Sequence, residues 1–186
     1  LVLALLWVAG VTLVYLAAEG VWNTLASESI AGGRRQVLLH GRDTGVVFDS
    51  PSQSRDGARW AFVGHTAASP PNVYYWERAG ALRRVSEVSP SLAERTLGRQ
   101  EVVQYRSRDG AEIEGLVIHP VGGVAPAPLV VLVHGGPTSE RALTWDAPAQ
   151  FFATRGWHFI LINHRGSTGR GRPPSSGRAH ADAGCR

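Results

Sequence analysis

The chain has a single cysteine, Cys185, which excludes an intrachain disulfide and any cysteine-built metal cluster. Lysine is absent, so all 19 basic residues are arginine. Methionine is absent as well; Leu1 is therefore not a retained start, and the 186 residues are expected to be a piece of something longer. Excess charge is missing from most of the chain. Residues 1–164 hold 14 arginines and 14 acidic residues, and the net +4 comes from residues 165–186, with five arginines and Asp182. A phosphate-binding face needs clustered cations on a folded surface, so no nucleic-acid partner is expected. The histidines His40, His65, His119, His158, His164 and His180 lack metal-ligand spacing, and neither a metal nor a cofactor is expected. What is present is 44% apolar residues, enough for a packed core.

Residues 1–18 carry no charge, the length at which a membrane span becomes a candidate. Gly10 interrupts the run, Val, Thr and Tyr crowd its end, and no basic flank follows. It has no charged start and so fails as a signal peptide. Two strands joined at Ala9-Gly10 fit the same composition, and an internal repeat favours them. Gly10-Val-Thr-Leu-Val-Tyr-Leu is matched by Gly57-Ala-Arg-Trp-Ala-Phe-Val, and Gly33 by Gly80, both offset by 47 residues. A repeat of this length built from strands and glycine turns predicts β-propeller blades. Leu13–Leu16 and Trp60–Val63 are expected as inner strands, then Asn72–Glu77, a Gly80-Ala81 turn and Leu82–Val85. Residues 86–100 read as a connector.

Beyond it, Glu101–Tyr105 and Ile113–His119 flank a Ser107-Arg-Asp-Gly110 turn and predict a hairpin; residues 120–128 read as a loop. Leu129-Val-Val-Leu-Val133 is five uninterrupted aliphatic residues, the pattern of a strand buried on both faces of a parallel sheet. A helix is predicted over Trp145–Arg155 with Gly156 as its C-terminal cap, then a second buried strand, His158–Asn163. Strand, loop, helix, strand is one βαβ crossover. Residues 173–186 have no aliphatic residue larger than alanine and are expected to be disordered or to come from a shifted reading frame.

His134-Gly135-Gly136-Pro137 follows the first of these strands. Two glycines there let the backbone turn sharply and present bare N–H groups, which can stabilise negative charge on a carbonyl oxygen. The run from Pro128 to Pro137, then Trp145, Gln150-Phe-Phe-Ala-Thr-Arg-Gly-Trp157 and Asn163-His-Arg-Gly-Ser-Thr-Gly169 with Gly171, resembles the opening of the catalytic domain of prolyl oligopeptidase-family serine peptidases, in particular the acylaminoacyl-peptidase and dipeptidyl-aminopeptidase-like branch. The resemblance implies the N-terminal portion of an α/β-hydrolase fold over residues 101–172, preceded by about two terminal propeller blades over residues 1–100. It also implies hydrolysis of short or N-blocked peptides through an acyl-enzyme. On that template Gly136 offers its N–H to the oxyanion and Gly135 shapes the turn. His134 is structural rather than the catalytic base, and together with Pro137, Arg165, Gly166 and Ser167 it borders the active site.

The family's nucleophile sits on a Gly-x-Ser-x-Gly elbow, and no serine here has glycine at both flanking positions. Ser167 lies between Gly166 and Gly169 but has the wrong spacing, and it follows a different strand. The Ser, Asp and His of the triad are expected downstream of this segment, which alone is expected to be inactive. An esterase or lipase-like hydrolase fragment and a binding protein anchored through Leu1–Ala18 are the competing readings. The residues give no oligomeric state. The lack of cysteine pairs and of a signal peptide leans towards the cytoplasm, with little place for a membrane partner.

Overall fold

The computed structural model describes the backbone of Val2–Val8 together with residues 12–123, 126–136 and 139–170. Gly10, Pro137, Gly171 and the tail 173–186 lie outside the described residues. Two four-stranded antiparallel meanders come first. β1 (Val2–Val8), β2 (Thr12–Glu19), β3 (Trp22–Ser29) and β4 (Gln36–His40) form one sheet; β5 (Val47–Gln53), β6 (Arg59–Thr66), β7 (Ser69–Glu77) and β8 (Arg83–Arg84) form the next. A one-turn helix, α1 (Gly41–Thr44), joins them. The starts of β2 and β6 are 47 residues apart, as are those of β3 and β7, so the repeat is structural and propeller-like.

The two sheets pack face to face. Val14, Leu16 and Leu25 of the first meet Phe48, Trp60, Phe62, Tyr74 and Trp76 of the second, with Trp60 stacked on Phe62 at 6.1 Å between ring centroids. Strand parity gives the manner of packing. Along β2 the buried positions are Val14, Leu16 and Ala18, whereas along β6 they are Trp60, Phe62 and Gly64. An offset of 47 is odd, so these sets lie on opposite faces of the repeat unit. One face of a unit therefore meets the other face of the next, as in a rotational array and unlike a two-fold sandwich. Asn23 pins the junction: its Oδ1 accepts from the Phe48 N–H at 3.0 Å and its Nδ2 donates to the Phe48 carbonyl.

Where the competing reading has a span over residues 1–18, the described residues form the strands β1 and β2. No helix of the described residues is long and apolar enough to cross a membrane. The connector contains a 3-10 turn at Pro90–Glu94. β8 is shorter than expected, two residues instead of four.

The third sheet has the order β11-β12-β10-β9, from β9 (Gln100–Arg106), β10 (Glu112–Ile118), β11 (Leu129–Val133) and β12 (His158–Asn163). β11 and β12 are parallel and α2 (Ala147–Ala153) crosses between them, as the crossover reading expects. The sheet is mixed, since β10 runs antiparallel to both β12 and β9. α2 is shorter than expected at both ends. The Asp146 carboxylate caps it by accepting from the Ala149 N–H at 2.8 Å, and this holds Asp146 extended, so Trp145 precedes the helix. At the other end Gly156 takes φ +82 and the Trp157 N–H returns to the Phe152 carbonyl, a Schellman stop.

Strand β11 departs from its sequence reading. Val130 and Leu132 pack on the core of Leu116, Ile118, Ala149, Ala153, Phe159 and Leu161, but Leu129, Val131 and Val133 are 55%, 51% and 56% exposed. Aliphatic residues on both sides of a strand report that both faces can be covered; at this sheet edge no described element covers the second.

Candidate active site

The site is assembled where β11 and β12 end side by side. Parallel pairing puts Val133 opposite Ile162, so the segments that follow, from His134 and from His164, emerge together. Gly135 and Gly136 are exposed, and Gly136 has φ +147, a conformation that only glycine adopts readily. Among the described residues neither glycine N–H is engaged in a hydrogen bond, and a Cβ on Gly135 would meet open space.

His134 is buried, 6% exposed, and its ring joins the two segments. Nδ1 lies 2.8 Å from the Gly135 carbonyl and Nε2 lies 2.7 Å from Ser167 Oγ, itself 8% exposed. A carbonyl oxygen only accepts, so Nδ1 carries a proton. In the neutral ring the Ser167 hydroxyl then donates to Nε2, and the His164 carbonyl is served by the Ser167 N–H at 3.0 Å. In the imidazolium Nε2–H donates to Oγ, and the hydroxyl proton turns to the His164 carbonyl, 2.7 Å away. Ser167 can thus partner His134 in either protonation state. The His164 ring stacks on that of His134 at 4.3 Å between centroids.

The two segments are stitched further along. The Thr168 N–H donates to the Ser139 carbonyl at 3.0 Å and its hydroxyl donates to Glu140 Oε2 at 2.7 Å. Burial raises the Glu140 carboxyl above its ordinary value, with the Thr168 hydroxyl and His134 pulling it back. Asn163, at the end of β12, accepts from the Arg141 N–H at 2.6 Å and donates to the Arg141 carbonyl at 2.9 Å. Arg165 is exposed and pairs with Asp109 of the β9–β10 turn; Gly166 turns the chain at φ +90. Of the residues singled out from sequence, the structure brings His134, Gly135 and Ser167 into one network, places Gly136 beside them, and turns Arg165 outwards. Glu140, Asn163, His164 and Thr168 complete the network. Asn163, His164 and Thr168 belong to the run quoted from the sequence, whereas Glu140 was unmarked; their partners are 22 to 30 residues away.

A cavity of about 320 Å3 lies where the segment between β11 and α2 meets the first two sheets, lined by Trp22, Asp49, His65, Glu140 and Thr144 among others. Burial lowers the His65 imidazole, opposed by the nearby Asp49 carboxylate.

No family model matches the chain. Dipeptidyl aminopeptidase BIII of Pseudoxanthomonas mexicana is 34% identical over 131 residues, 65% of this chain and 19% of that protein. The acylamino-acid-releasing enzyme of Sus scrofa is 29% identical over 173 residues, 68% of this chain and 23% of that protein. The chain therefore spans about a fifth of the length of these curated relatives. Among solved structures, Pyrococcus horikoshii acylaminoacyl peptidase superposes with a TM-score of 0.75 over 90% of this chain and 26% of its own, at 21% identity, a likeness of fold.

Proposed function

Because the chain belongs to the prolyl oligopeptidase family of peptidases, we propose that it carries the oxyanion-hole segment of a serine peptidase acting on short or N-blocked peptides. Residues 1–100 would be the last propeller blades and residues 101–172 the opening of an α/β-hydrolase domain. The observation that carries the reading is the exposed Gly135–Gly136 backbone at the C-terminal end of a parallel strand, tied to the next loop by His134 and Ser167. In that role the serine nucleophile, supplied by another segment, attacks the peptide carbonyl. The carbonyl oxygen gains negative charge in the tetrahedral intermediate, and the Gly136 N–H donates to it. One such donor is worth about 3 to 4 kcal/mol of transition-state stabilisation.

Ser167 and His134 sit at the distance of a nucleophile and its base, but the pair fits a structural role better. The His134 Nδ1 partner is a backbone carbonyl rather than a carboxylate, and the Ser167 hydroxyl is buried.

The reading is tested with a chimera in which residues 101–170 replace the matching segment of an active family peptidase. Retained hydrolysis of acetylated peptide substrates is expected, and a folded but inactive chimera would contradict the reading. In parallel, a fluorophosphonate probe should leave the isolated chain unlabelled; labelling at Ser167 would make that residue the nucleophile and overturn the assignment.

A further inference from the structure

We propose that the tip of the β2–β3 hairpin, Gly20–Val21, positions the Gly135–Gly136 loop, acting through the 164–170 loop and the Ser167–His134 hydrogen bond. The proposal rests on the reading of Gly135–Gly136 as an oxyanion hole and extends that site into the propeller-like part of the chain.

The hairpin tip is the first observation. The repeat places Ala67–Ala68 at the tip equivalent to Gly20–Val21, and there Ala68 is exposed. Val21, by contrast, is 1% exposed and lies in the core of the third sheet with Leu116, Ile118 and Leu161. Its carbonyl accepts from the Leu143 N–H at 2.8 Å. One of two repeated hairpins has therefore been fitted to the other part of the molecule, and the difference lies in the tip residues.

The second observation is the approach of two glycines. The Gly20 N–H donates to the Gly169 carbonyl at 2.7 Å. A Cβ on Gly169 would come within 3.0 Å of the Gly20 carbonyl oxygen, 3.1 Å of its nitrogen and 2.8 Å of Glu140 Oε2. Gly169 has φ +80 and Gly20 φ +64, so both backbone conformation and proximity call for glycine. Arg170, the next residue, reaches buried Glu114 of β10 at 2.7 Å and fastens the loop on its other side.

From Gly169 a short series of contacts leads to the site. Thr168 binds Ser139 and Glu140, Ser167 holds His134 Nε2, and His134 Nδ1 holds the Gly135 carbonyl. Glycines have no side chains with which to anchor themselves. Among the described residues His134 provides the side-chain hydrogen bond to this pair, so whatever fixes His134 fixes the donors. Gly20, Val21, Gly169 and Ser167 are positioning residues in this account, since they act through His134.

The test uses backbone 15N relaxation on the whole 186-residue chain, which reads rigidity without requiring turnover. Order parameters at Gly135 and Gly136 are expected near the rigid value of about 0.85 in the parent and below about 0.6 in Ser167→Ala, Gly169→Ala and Val21→Ala. Amides of β6 and β7 should stay unchanged in all three, which separates loosening from unfolding. Ser167→Thr, which keeps the hydroxyl, should restore rigidity. The proposal is overturned if the two glycines are already flexible in the parent. It is equally overturned if Ser167→Ala loosens them while Val21→Ala and Gly169→Ala do not. A rigid, coupled loop in a chain whose chimera is inactive would instead sink the oxyanion-hole reading and leave the coupling intact.

Discussion

Ala79 adopts φ +66, and the residue 47 positions earlier, Gly32, adopts φ +93. An L-residue with a Cβ held there costs about 1 kcal/mol or more, part of which glycine returns through its freedom in the unfolded chain. Ala79→Gly is therefore expected to raise stability by about 0.5 kcal/mol, visible as a higher urea midpoint with an unchanged slope. The sequence paired Gly33 with Gly80, one residue beyond the true left-handed positions, because alanine has no signature for such a turn. Glu140 gives a second residue-scale prediction. Its carboxyl is raised by burial, so the folded state holds the proton more tightly than the unfolded chain. Stability is fully present below the ordinary value of 4.5 and declines as pH rises through the raised value. Glu140→Gln keeps an acceptor for Thr168 and removes this decline. The variant should exceed the parent in stability near neutral pH and match it in acid, as measured by urea unfolding at both. Equal stability at neutral pH would mean that the buried charge is fully compensated.

At the scale of elements the legible features were those with a local cause. The β9–β10 hairpin follows from its Asp-Gly turn, β12 from its apolar run, and the end of α2 from Gly156. The second face of β11 was not legible, because a run of aliphatic residues says what a strand tolerates and nothing about what lies above it. Leu129, Val131 and Val133 now form an exposed apolar row on an edge strand, the arrangement that promotes strand-to-strand association. Val131→Lys should reduce light scattering of the isolated chain at high concentration without lowering its unfolding midpoint. Unchanged scattering would show that this edge is not where copies meet.

On the scale of the molecule the 47-residue repeat could be read from sequence, and so could the order of antiparallel strands, hairpin and crossover. How the parts meet could not. Asn23 binding Phe48, Val21 entering the third sheet's core and Gly20 touching Gly169 are long-range choices, and an Asn or a Gly-Val turn gives no hint of its partner. The glycine pair is visible in the sequence because only glycine leaves its backbone atoms bare; the side chains that hydrogen-bond around it are scattered over 134–168. The central claim is that the Gly136 N–H stabilises an oxyanion, and it is tested most directly in the chimera by replacing that one N–H with an ester oxygen, glycolic acid in place of Gly136. The account predicts a fall in kcat of about 100- to 1,000-fold with KM nearly unchanged. An unchanged kcat in the folded ester variant would contradict it.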